Sequence, residues 1–164
     1  MDVFHKAPYP YPWNMPPQYG WPGGPWTPPH HEPAIRDHGP RPYVVNIARV
    51  TRQNRNFRTA LWTGQHLQVT LMSIPVGGDI GLETHPSTDQ FIRIEEGQGL
   101  VQMGPSRDQV EFEQMAGPGF AVMIPAGMWH NITNVGNRPL KVYSIYAPPE
   151  HPHGTVHPTK PDAD

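Results

Sequence analysis

The residues with the clearest chemical potential lie in two clusters in the middle of the chain. Glu83 and His85 are two positions apart, so on a strand both side chains point to the same face. Gln90 begins the next run of strand-forming residues, and His130 enters a further run after a Pro-x-Gly turn. If those strands are neighbours in a closed barrel, Glu83, His85 and His130 form a two-histidine, one-carboxylate set with positions left open for a substrate.

The expected cofactor is therefore one divalent metal ion. A two-histidine, one-carboxylate set suits Fe(II), and it also accepts Mn(II), Ni(II), Co(II) or Zn(II). The alternative is that no metal binds and that Glu83 and His85 form a polar pair in the mouth of a barrel. A carboxylate buried beside two imidazoles is costly without a cation, which favours the metal site.

Short strands must position these side chains. Residues 66–74 alternate in polarity and are rich in β-forming types, which predicts a strand. Glycine and proline turns separate further short runs at 90–94, 100–103, 110–112, 120–124, 129–133 and 140–146. Strands at this short and regular spacing predict a β-sandwich or β-barrel. The stretch 46–64 departs from the pattern, and one or two helical turns would fit there.

Proline divides the 164-residue chain into three parts. Of its 23 prolines, twelve lie in residues 1–42, six in 43–147 and five in 148–164. The sequence predicts a Pro-, Tyr- and Trp-rich N-terminal arm, a compact middle domain and a Pro- and His-containing C-terminal tail with these bounds. The arm could be disordered or could dock its aromatic rings on a partner. The tail histidines could bind a stray metal, but we expect the tail to be solvated.

Composition excludes several classes of function. The chain has a formal charge of −2, and the charges of residues 43–147 balance, so we expect no nucleic-acid partner. The chain has no cysteine, which excludes a disulfide scaffold, a thiolate metal site and a cysteine nucleophile. The sequence shows neither a run of 18 apolar residues nor a signal-peptide pattern, so we expect no membrane partner and a cytoplasmic location.

Both clusters resemble motifs of the cupin superfamily, and the resemblance covers residues 66–147. The second motif is matched without a departure at Gly119, Pro125, Gly127, His130 and Asn134. The first motif is matched in spacing at Gly77, Glu83, His85, Gln90 and Gly97. Two residues of the first motif differ from the usual pattern, because Glu83 stands where cupins usually have His and Gln90 stands where they have Glu.

The resemblance implies an all-β fold, the double-stranded β-helix or jelly-roll barrel, here with Pro-rich extended arms at both ends. It also implies one metal ion inside the barrel, and often a homodimer. The ligands would be Glu83, His85, Gln90 and His130. Gln90 would coordinate through its amide oxygen or hold a bound water. Asp89 could instead supply a carboxylate, since the family allows a gap of three or four residues.

Such a centre predicts an enzyme that acts on a small-molecule ligand. It could bind O2 together with an oxygen-rich substrate, as in dioxygenases, or polarise a carbonyl for isomerisation or epimerisation, and cupin relatives include sugar-phosphate isomerases. Arg58 is the candidate contact for a substrate anion, and Trp129 is either a substrate platform or a core or rim aromatic. The alternatives are a non-catalytic structural or binding cupin, such as a coat protein of bacterial spores, and a sugar-binding sensor.

Overall fold

The structure of the protein is a computed structural model, which describes residues 34–161. The elements in that range are α1 (Ile47–Gln53), β1 (Arg58–Thr63), β2 (Gln68–Ile74), β3 (Asp89–Glu96), β4 (Gly99–Gly104), β5 (Phe112–Ala116), β6 (Ala121–Ile124), β7 (Trp129–Asn134), β8 (Leu140–Ala147) and β9 (Val156–His157). The strands form a six-stranded sheet in the order β6-β3-β8-β2-β1-β9 and a three-stranded sheet in the order β5-β4-β7. Among the described residues, no helix is long and apolar enough to cross a membrane.

The two sheets enclose one main hydrophobic core. Every pairing between named strands is antiparallel, so along each strand the inward-facing and outward-facing side chains alternate. Ile92 and Ile94 of β3 and Ile132 of β7 are almost fully buried and belong to this core. Removing such side chains from water drives the packing of one sheet on the other. The structure confirms the predicted all-β jelly-roll fold.

Strand register divides the inward face of the larger sheet into a polar end and an apolar end. The central strand β8 lies between β2 and β3, and three successive rows across these strands are Gln68–Tyr146–Gln90, Thr70–Ser144–Ile92 and Met72–Val142–Ile94. All nine side chains are buried. Because buried polar atoms need hydrogen-bond partners, a polar end of this kind marks the part of the barrel where a ligand is expected.

The uncertain stretch 46–64 contains both α1 and β1. Asn46 caps α1, since its side-chain oxygen accepts a hydrogen bond from the main-chain nitrogen of Arg49 at 3.0 Å. The first four residues of β1 are all buried, so the polar alternation that reveals other strands is missing there. The strand predicted at 110–112 lies instead at Phe112–Ala116, where four exposed residues at a sheet edge give little hydrophobic signal.

The described part of the C-terminal tail packs against the barrel. β9 pairs with the start of β1, and the main chain of His151 makes two hydrogen bonds with the buried side chain of Gln68. Asp37 accepts hydrogen bonds from the main-chain nitrogens of Thr63 and Gly154, which joins the segment before α1 to the tail. Most of residues 148–161 are exposed, as expected of a solvated tail, but these contacts attach the tail to the barrel, which was not expected. A proline-rich composition predicts irregular backbone, but irregular backbone can still pack.

Candidate metal centre

A pair of main-chain hydrogen bonds fixes Glu83 opposite His130. The nitrogen of Glu83 donates to the oxygen of His130 at 3.0 Å, and the nitrogen of His130 donates to the oxygen of Glu83 at 2.9 Å. Glu83 lies between β2 and β3, so this bridge holds a loop residue in register with β7. The bridge brings the carboxylate of the first motif next to the histidine of the second.

The turn before β7 connects the same two motifs. The nitrogen of Met128 donates to the oxygen of Pro125 at 3.0 Å, and Gly127 has a φ of 83°, a conformation that favours glycine. The nitrogen of Gly127 also donates to the main-chain oxygen of His85 at 2.8 Å. The glycine of the second motif therefore anchors the histidine of the first.

Three donor atoms converge at this point of the barrel. Oε1 of Glu83 lies 3.4 Å from Nε2 of His85 and 3.6 Å from Nε2 of His130. One ligand atom from each residue lies within 4.8 Å of the other two. His85 and His130 are buried and Glu83 is half-buried, so the cluster is largely shielded from solvent.

The second ring nitrogen of each histidine is already engaged. Nδ1 of His130 lies 3.0 Å from the main-chain oxygen of Met128, which can only accept, so Nδ1 carries the proton. Nδ1 of His85 lies 3.1 Å from Oε1 of Glu150, which holds the proton on Nδ1 in the same way. In the neutral imidazoles, both Nε2 atoms then carry a lone pair that faces Glu83.

The cluster fits a divalent metal ion. Oε1 of Glu83 and Nε2 of His85 and of His130 are buried and make no hydrogen bond with the described part of the chain. Three buried acceptors without partners are costly, and a cation between them would satisfy all three at once. Two imidazole nitrogens and one carboxylate oxygen are also ligand types that Fe(II), Mn(II), Co(II), Ni(II) and Zn(II) accept. The sequence-based expectation of a Glu–His–His cluster able to hold a metal agrees with this geometry.

Electrostatics favour positive charge between these residues. Burial by itself would raise the pKa of Glu83, but the imidazoles of His130 and His85 and the charge of Arg58 outweigh it and lower that pKa to about 2. Burial would lower the pKa of His85, yet the carboxylates of Glu83 and Glu150 raise it. Glu83 is thus ionised at neutral pH, as a metal ligand must be.

Gln90 and Asp89, the two candidates for a further ligand, point in opposite directions from β3. Gln90 is buried in the same row as Tyr146, and its Oε1 has no hydrogen-bond partner among residues 34–161. Asp89 is exposed, and its Oδ1 accepts a hydrogen bond from the nitrogen of Ala126 at 2.8 Å. The structure therefore does not bring Asp89 to the cluster, whereas a ligand role for Gln90 stays a prediction.

The two candidate substrate contacts also differ in position. Arg58 is buried on β1 opposite Met72, and its charge helps to lower the pKa of Glu83 and of His151. Trp129 neighbours His130 along β7 and therefore faces the other side of the sheet. On that outer face, the guanidinium of Arg107 lies over the Trp129 ring, 6.0 Å from its centre.

Three residues of the site went unpredicted from sequence: Tyr146, Glu150 and His151. The ring of Tyr146 packs edge-on against His85 at 5.6 Å and against His151 at 5.1 Å. Burial raises the pKa of Tyr146 to about 12. Burial, and to a smaller extent the charge of Arg58, lowers the pKa of His151 to about 4. The alternation of β8 places Tyr146 among its buried positions, which was an available signal, whereas no local pattern predicts that the tail docks here.

Comparison with known proteins agrees with this architecture. The model of the cupin domain family matches residues 70–146. YrkC of Bacillus subtilis is 61% identical over 129 residues, which cover 79% of this chain and 69% of YrkC. L612 of Acanthamoeba polyphaga mimivirus is 38% identical over 122 residues, which cover 74% of this chain and 74% of L612.

A solved structure matches as well. The crystal structure of BH2720 from Bacillus halodurans is 67% identical, superposes with a TM-score of 0.76, and covers 77% of this chain and 96% of BH2720. The two-motif cluster, the two antiparallel sheets and these relatives agree with one another. The chain belongs to the cupin family.

Proposed function

We propose that this cupin binds one divalent metal ion through Glu83, His85 and His130 and that it is a metalloenzyme for a small-molecule substrate. The observation that supports the proposal most strongly is the convergence of three buried, unpartnered donor atoms within 4.8 Å. Gln90 is the proposed fourth ligand, through its amide oxygen, or the residue that holds a bound water. The metal is one of Fe, Mn, Ni, Co or Zn.

The bound ion would act as a Lewis acid on a substrate carbonyl or would bind O2 next to an oxygen-rich substrate. These two chemistries correspond to an isomerase- or epimerase-type reaction and to a dioxygenase-type reaction. Arg58 suits either reaction, because its buried positive charge can bind an anionic group of the substrate. That group would be the phosphate of a sugar phosphate or a carboxylate.

Metal analysis of protein produced without a histidine tag tests the binding half of the proposal. One ion per chain is expected, or uptake of one ion on titration with Mn(II). The enzymatic half requires a coordination position that exchanges with solvent, so the Mn(II)-loaded protein should enhance the relaxation of water protons. A chain that takes up no ion contradicts the first half, and an ion that leaves water relaxation unchanged contradicts the second.

The second candidate function is assembly, and an apolar surface favours it. β5 and β6 are edge strands of their sheets, and their exposed apolar side chains include Phe112, Met115 and Met123, the last with 65% of its surface exposed. An edge strand can pair with the same strand of a second copy about a twofold axis, so the proposed occupant is another copy in a homodimer. Light scattering should give twice the chain mass for the parent and the single-chain mass for Met123→Glu. A parent of single-chain mass contradicts the homodimer.

A further inference from the structure

Gln68 clamps the main chain of His151 to the barrel. Its Nε2 donates to the His151 oxygen at 2.8 Å, and the His151 nitrogen donates to its Oε1 at 2.9 Å. Gln68 is fully buried in β2, in the row of Tyr146. Because both hydrogen bonds reach the main chain of His151, the side chain at that position can change without loss of the clamp.

The clamp places the ring of His151 at the metal cluster. The ring packs edge-on against Tyr146, which packs edge-on against His85, and the preceding residue, Glu150, contacts Nδ1 of His85 at 3.1 Å. Nε2 of His151 is buried and has no hydrogen-bond partner within the described chain. The tail therefore carries an unsatisfied polar atom into the interior.

Other unsatisfied polar atoms share this part of the barrel. Nε of Arg58 is buried without a partner in residues 34–161, and the buried hydroxyls of Thr70, Ser144 and Tyr146 have only one another as neighbours able to exchange a hydrogen bond. Thr70 and Ser144 form the row next to that of Tyr146, and Arg58 lies opposite Met72, one row further along. The charge of Arg58 acts to lower the pKa of both Tyr146 and His151. A buried cation and the unsatisfied Nε2 of His151, beside neutral hydroxyl groups, favour a polar ligand here.

Charge selects the class of ligand. Arg58 is positive, and Glu83 and Glu150 are negative, so a divalent ion leaves the site with one excess positive charge. A monoanion restores neutrality, whereas a phosphate dianion would overcompensate. The neutral imidazole of His151 and the hydroxyls suit an uncharged oxygen on the same molecule.

On the basis of the proposed metal site, we infer that the docked tail completes a binding site for a small hydroxycarboxylate. The carboxylate pairs with Arg58, and the hydroxyl exchanges a hydrogen bond with Nε2 of His151. His151 is then a substrate-binding residue supplied from outside the barrel.

Glycolate, acetate and inorganic phosphate are suitable probes, titrated into the full-length, Mn(II)-loaded protein. The parent should bind glycolate more tightly than acetate or phosphate. His151→Ala should bind glycolate about tenfold more weakly, the loss expected for one hydrogen bond, with Mn(II) affinity and acetate binding unchanged. His151→Gln, which keeps a polar amide near the position of Nε2, should recover part of the loss. His153→Ala, an exposed histidine on the same segment, is the matched control.

The possible failures are distinguishable. A parent that takes up no Mn(II) overturns the proposed metal site and with it this inference. A parent that binds Mn(II) but not glycolate, or that prefers phosphate, overturns the hydroxycarboxylate site alone. Equal affinity of the parent and His151→Ala for glycolate overturns the role of His151.

Discussion

Nδ1 of His130 donates a hydrogen bond to the main-chain oxygen of Met128 at 3.0 Å. Met128 is part of the turn that precedes β7, so the turn that delivers His130 to the barrel also fixes its ring. A histidine held in this way presents Nε2 in one tautomer and one orientation. The second cupin motif therefore contains both the candidate ligand and the group that orients it in six residues, from Pro125 to His130.

Glu83 should determine which metal the site prefers. A carboxylate neutralises one charge of a divalent ion, and a histidine neutralises none. We expect Glu83→His to bind metal with an altered order of affinities for Mn(II), Fe(II), Co(II) and Zn(II). The double change Glu83→His with Gln90→Glu returns one carboxylate to the usual cupin position and should recover binding more fully.

Competition titrations among these metals, with the parent and the two variants, check the prediction. Glu83→Ala serves as the control for loss of the side chain, and it should bind each metal more weakly than the parent. If Glu83→Ala bound metal as tightly as the parent, Glu83 would not be a ligand.

Glu150 should support the metal through His85. It touches Nδ1 of His85 at 3.1 Å, and partners of this kind typically contribute about 10- to 100-fold to metal affinity. Glu150→Ala should therefore weaken Mn(II) binding by about that factor with the fold intact. Isothermal titration calorimetry gives the affinity, and unchanged circular dichroism shows that the chain is folded. Parent-like affinity would show that Glu150 does not orient His85.

Asp37 should make stability depend on pH. Burial would raise its pKa, but hydrogen bonds from Thr63, Gly154 and Gly39 and the charge of His153 lower it below the ordinary value of 3.8. A carboxyl group with a lowered folded-state pKa stabilises the fold fully above its unfolded-state pKa, and this contribution disappears as pH falls through the folded-state pKa. Asp37→Asn should thus reduce the free energy of unfolding at pH 7, and the difference from the parent should shrink towards pH 3.

Urea unfolding across this pH range checks the prediction. Glu111→Gln changes an exposed carboxylate in the same way and is the matched control. If the loss of unfolding free energy in Asp37→Asn stays constant, or grows, as the pH falls, the role given to Asp37 is contradicted.

Each half of the candidate metal cluster was predictable because local rules determine it, whereas the meeting of the two halves was implied by the resemblance to cupins. Glu83 and His85 share a face through the period of two along an extended chain, and His130 follows a turn with a recognisable Pro-x-Gly pattern. Short strands separated by glycine and proline predicted a β-sandwich or β-barrel, and the resemblance to cupins implied the jelly roll. In each of these features, the information lies within a few consecutive residues.

The tail was not predictable because its place depends on distant contacts. Gln68 and His151 are 83 positions apart, and no periodicity connects them. β1 was missed for a related reason, since Arg58 and Thr59 look exposed in sequence and are buried only because β9 and the interior cover them. Polar residues that line a barrel interior are predicted from sequence to be exposed, unless the end of the barrel that holds the ligand is already known.

Metal titration of the parent, of His130→Ala and of His66→Ala tests the central claim most directly. His130 is buried at the cluster, whereas His66 is an exposed histidine outside it, so the two variants remove the same side chain from different surroundings. The account predicts one tightly bound divalent ion per chain for the parent and for His66→Ala and no tight binding for His130→Ala. A parent that binds no ion, or a His130→Ala variant that binds one as tightly as the parent, would contradict it.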